Sequence, residues 1–181
     1  MFYARKKSLF VLFVLLFSTC FSQIGCDGTV TFDVPTSGNT TVLKGTLLEE
    51  FVDNFGFGNF LNMDISTSQE FKSNNVVRER VTKTVLTKLT LTIESPEGQN
   101  FDFLQKVTFF VEASGLARQE VATADIPTGS KTVTFTPTGA DIGTYIRAEK
   151  FSITTEVKGR RPTQDTTVRA DAVFQVSARV L

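Results

Sequence analysis

The chain has 181 residues, with 19 basic and 19 acidic side chains, 18 Phe, no His, no Trp and two cysteines, Cys20 and Cys26. Without His there is no imidazole base for a serine nucleophile and no Cys–His metal site, and with both thiols near the start the part beyond residue 26 has no disulfide of its own. Arg5, Lys6 and Lys7 account for three of the cations, so residues 26–181 carry 16 against all 19 carboxylates, a formal charge of −3 that argues against nucleic acid or an anionic membrane as a partner recognised through bulk charge.

The first element in the chain is an export signal. The three cations lead into the unbroken apolar run 9–17, followed by the small or polar residues Ser18, Thr19, Ser22 and Gly25. That run is too short to cross a bilayer as a helix, which needs about 20 apolar residues. Residues 1–25 are therefore set apart as a signal peptide, and residues 26–181 have the size of one domain.

The signal ends in Gln23-Ile24-Gly25-Cys26. This tetrapeptide resembles the lipobox of bacterial lipoprotein precursors: Ile24 and Gly25 match the two positions before the cysteine, Cys26 matches the lipidated residue, and Gln23 departs from the usual aliphatic. The resemblance implies that Cys26 becomes the mature N-terminus and carries the anchor, since a thiolate is the nucleophile that forms a thioether to a diacylglycerol. It also implies a protein of the cell envelope, facing the periplasm or the exterior. The alternative is cleavage after Ser22, which leaves a secreted protein with a lone thiol.

From Gly28 onward apolar residues alternate with Thr and charged residues, the period of a strand. Residues 29–34 and 41–48 read as a first hairpin, with Pro35 ending one strand and Ser37, Gly38 and Asn39 making the turn. Residues 60–65 read as a third strand. Ser66 and Thr67 stand three residues before Gln69 and Glu70, capping-box spacing that predicts one or two short helical turns within 68–82. Residues 85–93 form the clearest strand, with Leu89, Leu91 and Ile93 on one face and Lys88, Thr90 and Thr92 on the other.

Residues 101–104 read as a tight turn. A second hairpin follows, 106–113 and 118–123 joined by Ser114, Gly115 and Leu116. Residues 131–136 make a strand closed by Pro137, 138–143 a loop, and 151–157 a strand broken at 159–162. In the last strand, about 167–180, Val168, Ala170, Ala172, Phe174, Val176, Ala178 and Val180 share one parity, which predicts a long strand packed on an opposite sheet. About eight strands at this spacing predict an all-β fold, an antiparallel β-sandwich of immunoglobulin-like or related topology, with an open barrel as the other arrangement.

Three clusters are candidates for function. Phe55, Phe57 and Phe60, separated by Gly56, Gly58 and Asn59, have flat apolar faces suited to a sugar or a peptide, or else plug an end of the sandwich over a bent glycine backbone. Lys158, Arg160 and Arg161 concentrate charge beside Gly159 and Pro162 in what reads as an inter-strand loop, able to touch phosphate, lipid headgroups or an acidic partner, or simply to be a solvated turn. Glu49, Glu50 and Asp53 lack the spacing of a calcium loop or of a carboxylate pair across a cleft. No metal or cofactor is expected, and no acidic residue falls on the inward parity of two neighbouring strands. The expected function is that of a non-enzymatic, lipid-anchored envelope protein acting as a binding or structural module, with an envelope protein or glycan as partner; a secreted carbohydrate- or protein-binding domain is the alternative, and an acid-pair hydrolase the third.

Overall fold

The computed structural model describes residues 28–45, 50–51, 65–148 and 150–180. The strands are β1 (Thr29–Val42), β2 (Glu50–Phe51), β3 (Val81–Ser95), β4 (Leu104–Ala113), β5 (Gln119–Asp125), β6 (Thr132–Thr134), β7 (Thr136–Pro137), β8 (Phe151–Arg160) and β9 (Thr166–Arg179), and the short helices are α1 (Gln69–Ser73) and α2 (Gly143–Arg147). All strand pairs are antiparallel, in two sheets of order β1-β9-β3-β6 and β2-β8-β4-β5-β7. The fold is an all-β sandwich, as the alternation predicts.

β9 is the spine of the first sheet, paired over its length with β1 on one side and β3 on the other. Val168, Ala170, Ala172, Phe174, Val176 and Ala178 are all buried, and Val180 packs partly against them. Three of these inward residues are small alanines, which leave room for side chains of the opposite sheet. Phe109 of β4 and Phe135, between β6 and β7, meet edge-to-face with centroids 5.1 Å apart.

The expected first hairpin is instead one continuous strand. β1 runs through Pro35 and Gly38 without a turn, in register from Thr29 opposite Arg179 to Val42 opposite Thr166. The reason is its place at the sheet edge: only one side of β1 is paired, so a proline without an N–H is tolerated there. The proposed third strand lies mostly outside the described residues, and its last residue, Ile65, opens a 3-10 turn, Ile65–Thr67.

Two short helical pieces do occur in 68–82, α1 and a 3-10 turn at Arg78–Arg80. The cap is Ser68, one residue beyond the expected pair, and its hydroxyl accepts from the Phe71 N–H at 3.4 Å. Phe71 is buried and meets Phe32 edge-to-face at 5.4 Å, pinning α1 to β1. The segment 138–143 is more than a loop. Asp141 Oδ1 accepts from the Gly143 N–H at 2.8 Å and the Thr84 N–H at 3.0 Å, and α2 starts from that turn with Ile142 and Ile146 buried. Residues 132–137 pass from one sheet to the other, β6 pairing with β3 and β7 with β5.

Candidate functional site

Of the residues singled out above, Cys26, Phe55, Phe57 and Phe60 lie outside the described residues, as do Glu49 and Asp53. Lys158 and Arg160 are described, and they are not in a loop. β8 continues through Gly159 to Arg160, so both are exposed strand residues on the outer face of the second sheet, and Arg161, half-buried, is the first residue beyond it. Gly159 is not a turn glycine. A Cβ on it would lie 2.5 Å from the Phe103 carbonyl oxygen and 2.8 Å from Leu104 Cα, so glycine is required by the close approach of β4. The connection to β9 is formed by 161–165, where Asp165 Oδ1 accepts from the Lys44 N–H at 2.8 Å.

The register adds a cation that the linear sequence does not group with these. Lys106 of β4 sits directly opposite Lys158, with Asp125 of β5 opposite Lys106 on its other side. Facing residues in an antiparallel pair have Cβ atoms about 4.5–5.5 Å apart, where like charges destabilise the sheet. Lys106, Lys158 and Arg160 thus form a cationic strip, with Asp125 opposite Lys106 and Glu50 of β2 at the register position opposite Arg160. Such a strip suits an anionic group, which would relieve the repulsion it is built on.

Further along the same face, Arg118 is fully engaged. Its guanidinium carbon lies 3.7 Å from the centroid of the Phe110 ring, its Nε is 2.8 Å from Glu112 Oε1, and its Nη1 pairs with Glu156. Thr154 Oγ1 accepts from Nη2 at 3.3 Å and donates to Glu112 Oε1 at 2.7 Å. This cluster ties the β4–β5 connection to β8. Its two carboxylates share one guanidinium on an open sheet face rather than confronting each other across a cleft. Parity alone hinted at it, since Phe110 points outward between inward Phe109 and Val111.

Among the described residues the interior offers no comparable chemistry, and the buried polar ones are Thr84, Thr108, Thr155 and Thr166. An enclosed void lined by Ile65, Ile142, Ile146, Phe151, Ile153 and Phe174 has about 10 Å³, too little for a ligand. A shallow depression of about 470 Å³ on the outer face of the first sheet is lined by Pro35, Ser37, Lys88, Asp171 and Val173. Among the described residues no three acidic side chains converge as metal ligands, and no helix is long and apolar enough to cross a membrane.

No family model and no curated protein matches the chain. The structure is similar to that of the decameric BFDV capsid protein, at 10% identity and a TM-score of 0.34, over 84% of this chain and 100% of that one. It is likewise similar to the 60-mer of the BFDV capsid protein, at 8% identity and a TM-score of 0.35, over 84% of this chain and 94% of that one.

Proposed function

We propose that this chain is a non-enzymatic envelope protein, anchored by a lipid on Cys26, whose sandwich acts as a binding or structural module at the membrane surface. The observation that carries the reading is the junction of signal and domain. Gln23-Ile24-Gly25-Cys26 follows the apolar run after the short segment 18–22, and β1 begins at Thr29, only three residues past the cysteine. Acyl chains on Cys26 therefore hold the sandwich close to the bilayer by its first strand, and two or three such chains anchor almost permanently at about 0.8 kcal/mol per buried methylene.

The long axis of the first sheet separates this end from the cationic strip. β9 rises from Thr166, beside the Arg160 end of β8, to Arg179 opposite Thr29. Its 14 residues span roughly 40 Å at about 3.3 Å per residue. A protein anchored at Cys26 displays Lys106, Lys158 and Arg160 away from its own membrane, where an acidic protein or glycan can reach them. The lack of histidine and of a thiol beyond residue 26 supports a role in binding rather than turnover. Replacement of Cys26 by Ser tests the anchor: the domain should still fold, but should leave the membrane fraction or remain as uncleaved precursor. A variant that is cleaved and still membrane-bound would overturn the reading.

A further inference from the structure

Irregularities in three adjacent strands coincide on the outer face of the first sheet. Along the outward parity of β9, from Thr167 to Arg179, Val173 is the one apolar side chain. Directly opposite it in register, on one side, stands Pro35 of β1. On the other side stands Lys88 of β3, just past the bulge between Leu86 and Lys88, where Thr87 Oγ1 donates to the Val173 carbonyl at 3.0 Å. The bulge is what brings Lys88 to this face. Without the inserted residue, position 88 would share the inward parity of Thr84 and Leu86.

These residues line the depression of about 470 Å³, together with Ser37 and Asp171. One row along the sheet, Ser37, Asp171 and Thr90 face one another across the same three strands. Asp171 Oδ2 accepts from Arg169 Nε at 2.9 Å, which fixes the carboxylate and leaves Oδ1 to accept from a ligand. Lys88 is exposed and has no ion pair among the described residues. The depression thus sets a small apolar floor, Pro35 and Val173, between an ammonium and a row of oxygen atoms. A sugar ring has the matching surface, a C–H face edged by hydroxyls. The shallowness selects further: a free small molecule is held by burying about 70–90% of its surface, which an open sheet face does not do. A unit within a polymer needs only one face covered, because neighbouring units add contacts along the strands.

We propose that this depression binds a sugar unit within an acidic polysaccharide, with the C–H face of the ring on Pro35 and Val173, the sugar carboxylate on Lys88, and hydroxyls on Asp171 and Ser37. The two charged side chains divide the selection between them. Lys88 favours a unit that carries a carboxylate, and Asp171, a few ångströms away, repels a bare anion while accepting from a hydroxyl. A uronic acid satisfies both, whereas a phosphate satisfies one and offends the other. The site lies on the opposite sheet from Lys106 and Lys158, and it does not depend on the anchor at Cys26.

The test titrates the full chain in detergent with a galacturonic acid oligosaccharide, with the neutral galactose oligosaccharide of the same linkage and length, and with inorganic phosphate, reading the backbone amide signals by NMR. The acidic oligosaccharide should shift the signals of Ser37, Lys88, Asp171 and Val173 and leave those of Lys106 and Lys158 in place. The neutral one should shift the same signals at higher concentration, and phosphate should shift none of them. Lys88→Gln should weaken the acidic oligosaccharide by about fivefold, the effect of one exposed charge pair, and leave the neutral one unchanged. Val173→Thr should weaken both. The thermal midpoint reports whether each variant keeps its fold, and Lys88→Arg, which retains the charge, should retain the preference for the acidic sugar. Shifts centred on Lys106 and Lys158, phosphate binding as well as the acidic oligosaccharide, or no shift at these positions with either sugar would overturn the inference, and none of these outcomes bears on the anchor.

Discussion

Leu91 and Thr90 are neighbours on β3 with opposite fates. Leu91 is 1% exposed and lies opposite Val133 and Ala170, whereas Thr90 is on the outer face opposite Thr134 and Asp171. Phe174 is equally buried in β9. Leu91→Ala or Phe174→Ala should cost about 2–5 kcal/mol in chemical denaturation, and Thr90→Ala less than about 1 kcal/mol. Equal losses at Leu91 and Thr90 would mean a sheet covered on both faces. Thr155 gives a change of the other sign: its hydroxyl is buried on the inward face of β8 and has no hydrogen-bond partner among the described residues. Thr155→Val keeps the shape and removes an unsatisfied polar atom, so stability should rise by about 1 kcal/mol; a loss would reveal a partner for that hydroxyl. Burial at these positions was legible from parity. The clamp of Arg118 on Phe110, Glu112 and Glu156 was not, because its members are separated by up to 46 positions and only strand register brings them together.

Among the elements, β9 was readable because one periodicity runs through it without interruption, and β4, β5 and the turn at 101–104 because turn residues bound the strands. Two others were misread for specific reasons, and β3 was read correctly but only from its middle onward. In β1 the breakers Pro35 and Gly38 outweighed the continuing inward parity of Val30, Phe32, Val34, Thr36, Thr40 and Val42, and a sheet edge tolerates both breakers. In β3 the bulge between Leu86 and Lys88 inserts one residue, shifting the inward parity from Thr84 and Leu86 to Leu89, Leu91 and Ile93. In β8 the end at Gly159 looked like a turn because glycine has two uses, and contact with Phe103 and Leu104 is invisible in sequence. That last point is testable: Gly159→Ala should destabilise the domain by about 1–3 kcal/mol through a clash with backbone that cannot move aside. An alanine variant as stable as the parent would show that the two strands separate freely at this end.

For the whole molecule, the cationic strip on β4 and β8 is a feature that no local motif displays. It became visible only when register placed Lys106 beside Lys158. The proposed anchor is the reverse case, since the resemblance that suggests it lies in four residues at the signal junction. The mass of the mature N-terminus therefore tests the account most directly. The account predicts a chain that begins at Cys26, with the mass of a diacylglyceryl thioether on its sulfur. A mature chain beginning at Gln23, with Cys26 unmodified, would contradict it and make this a secreted β-sandwich.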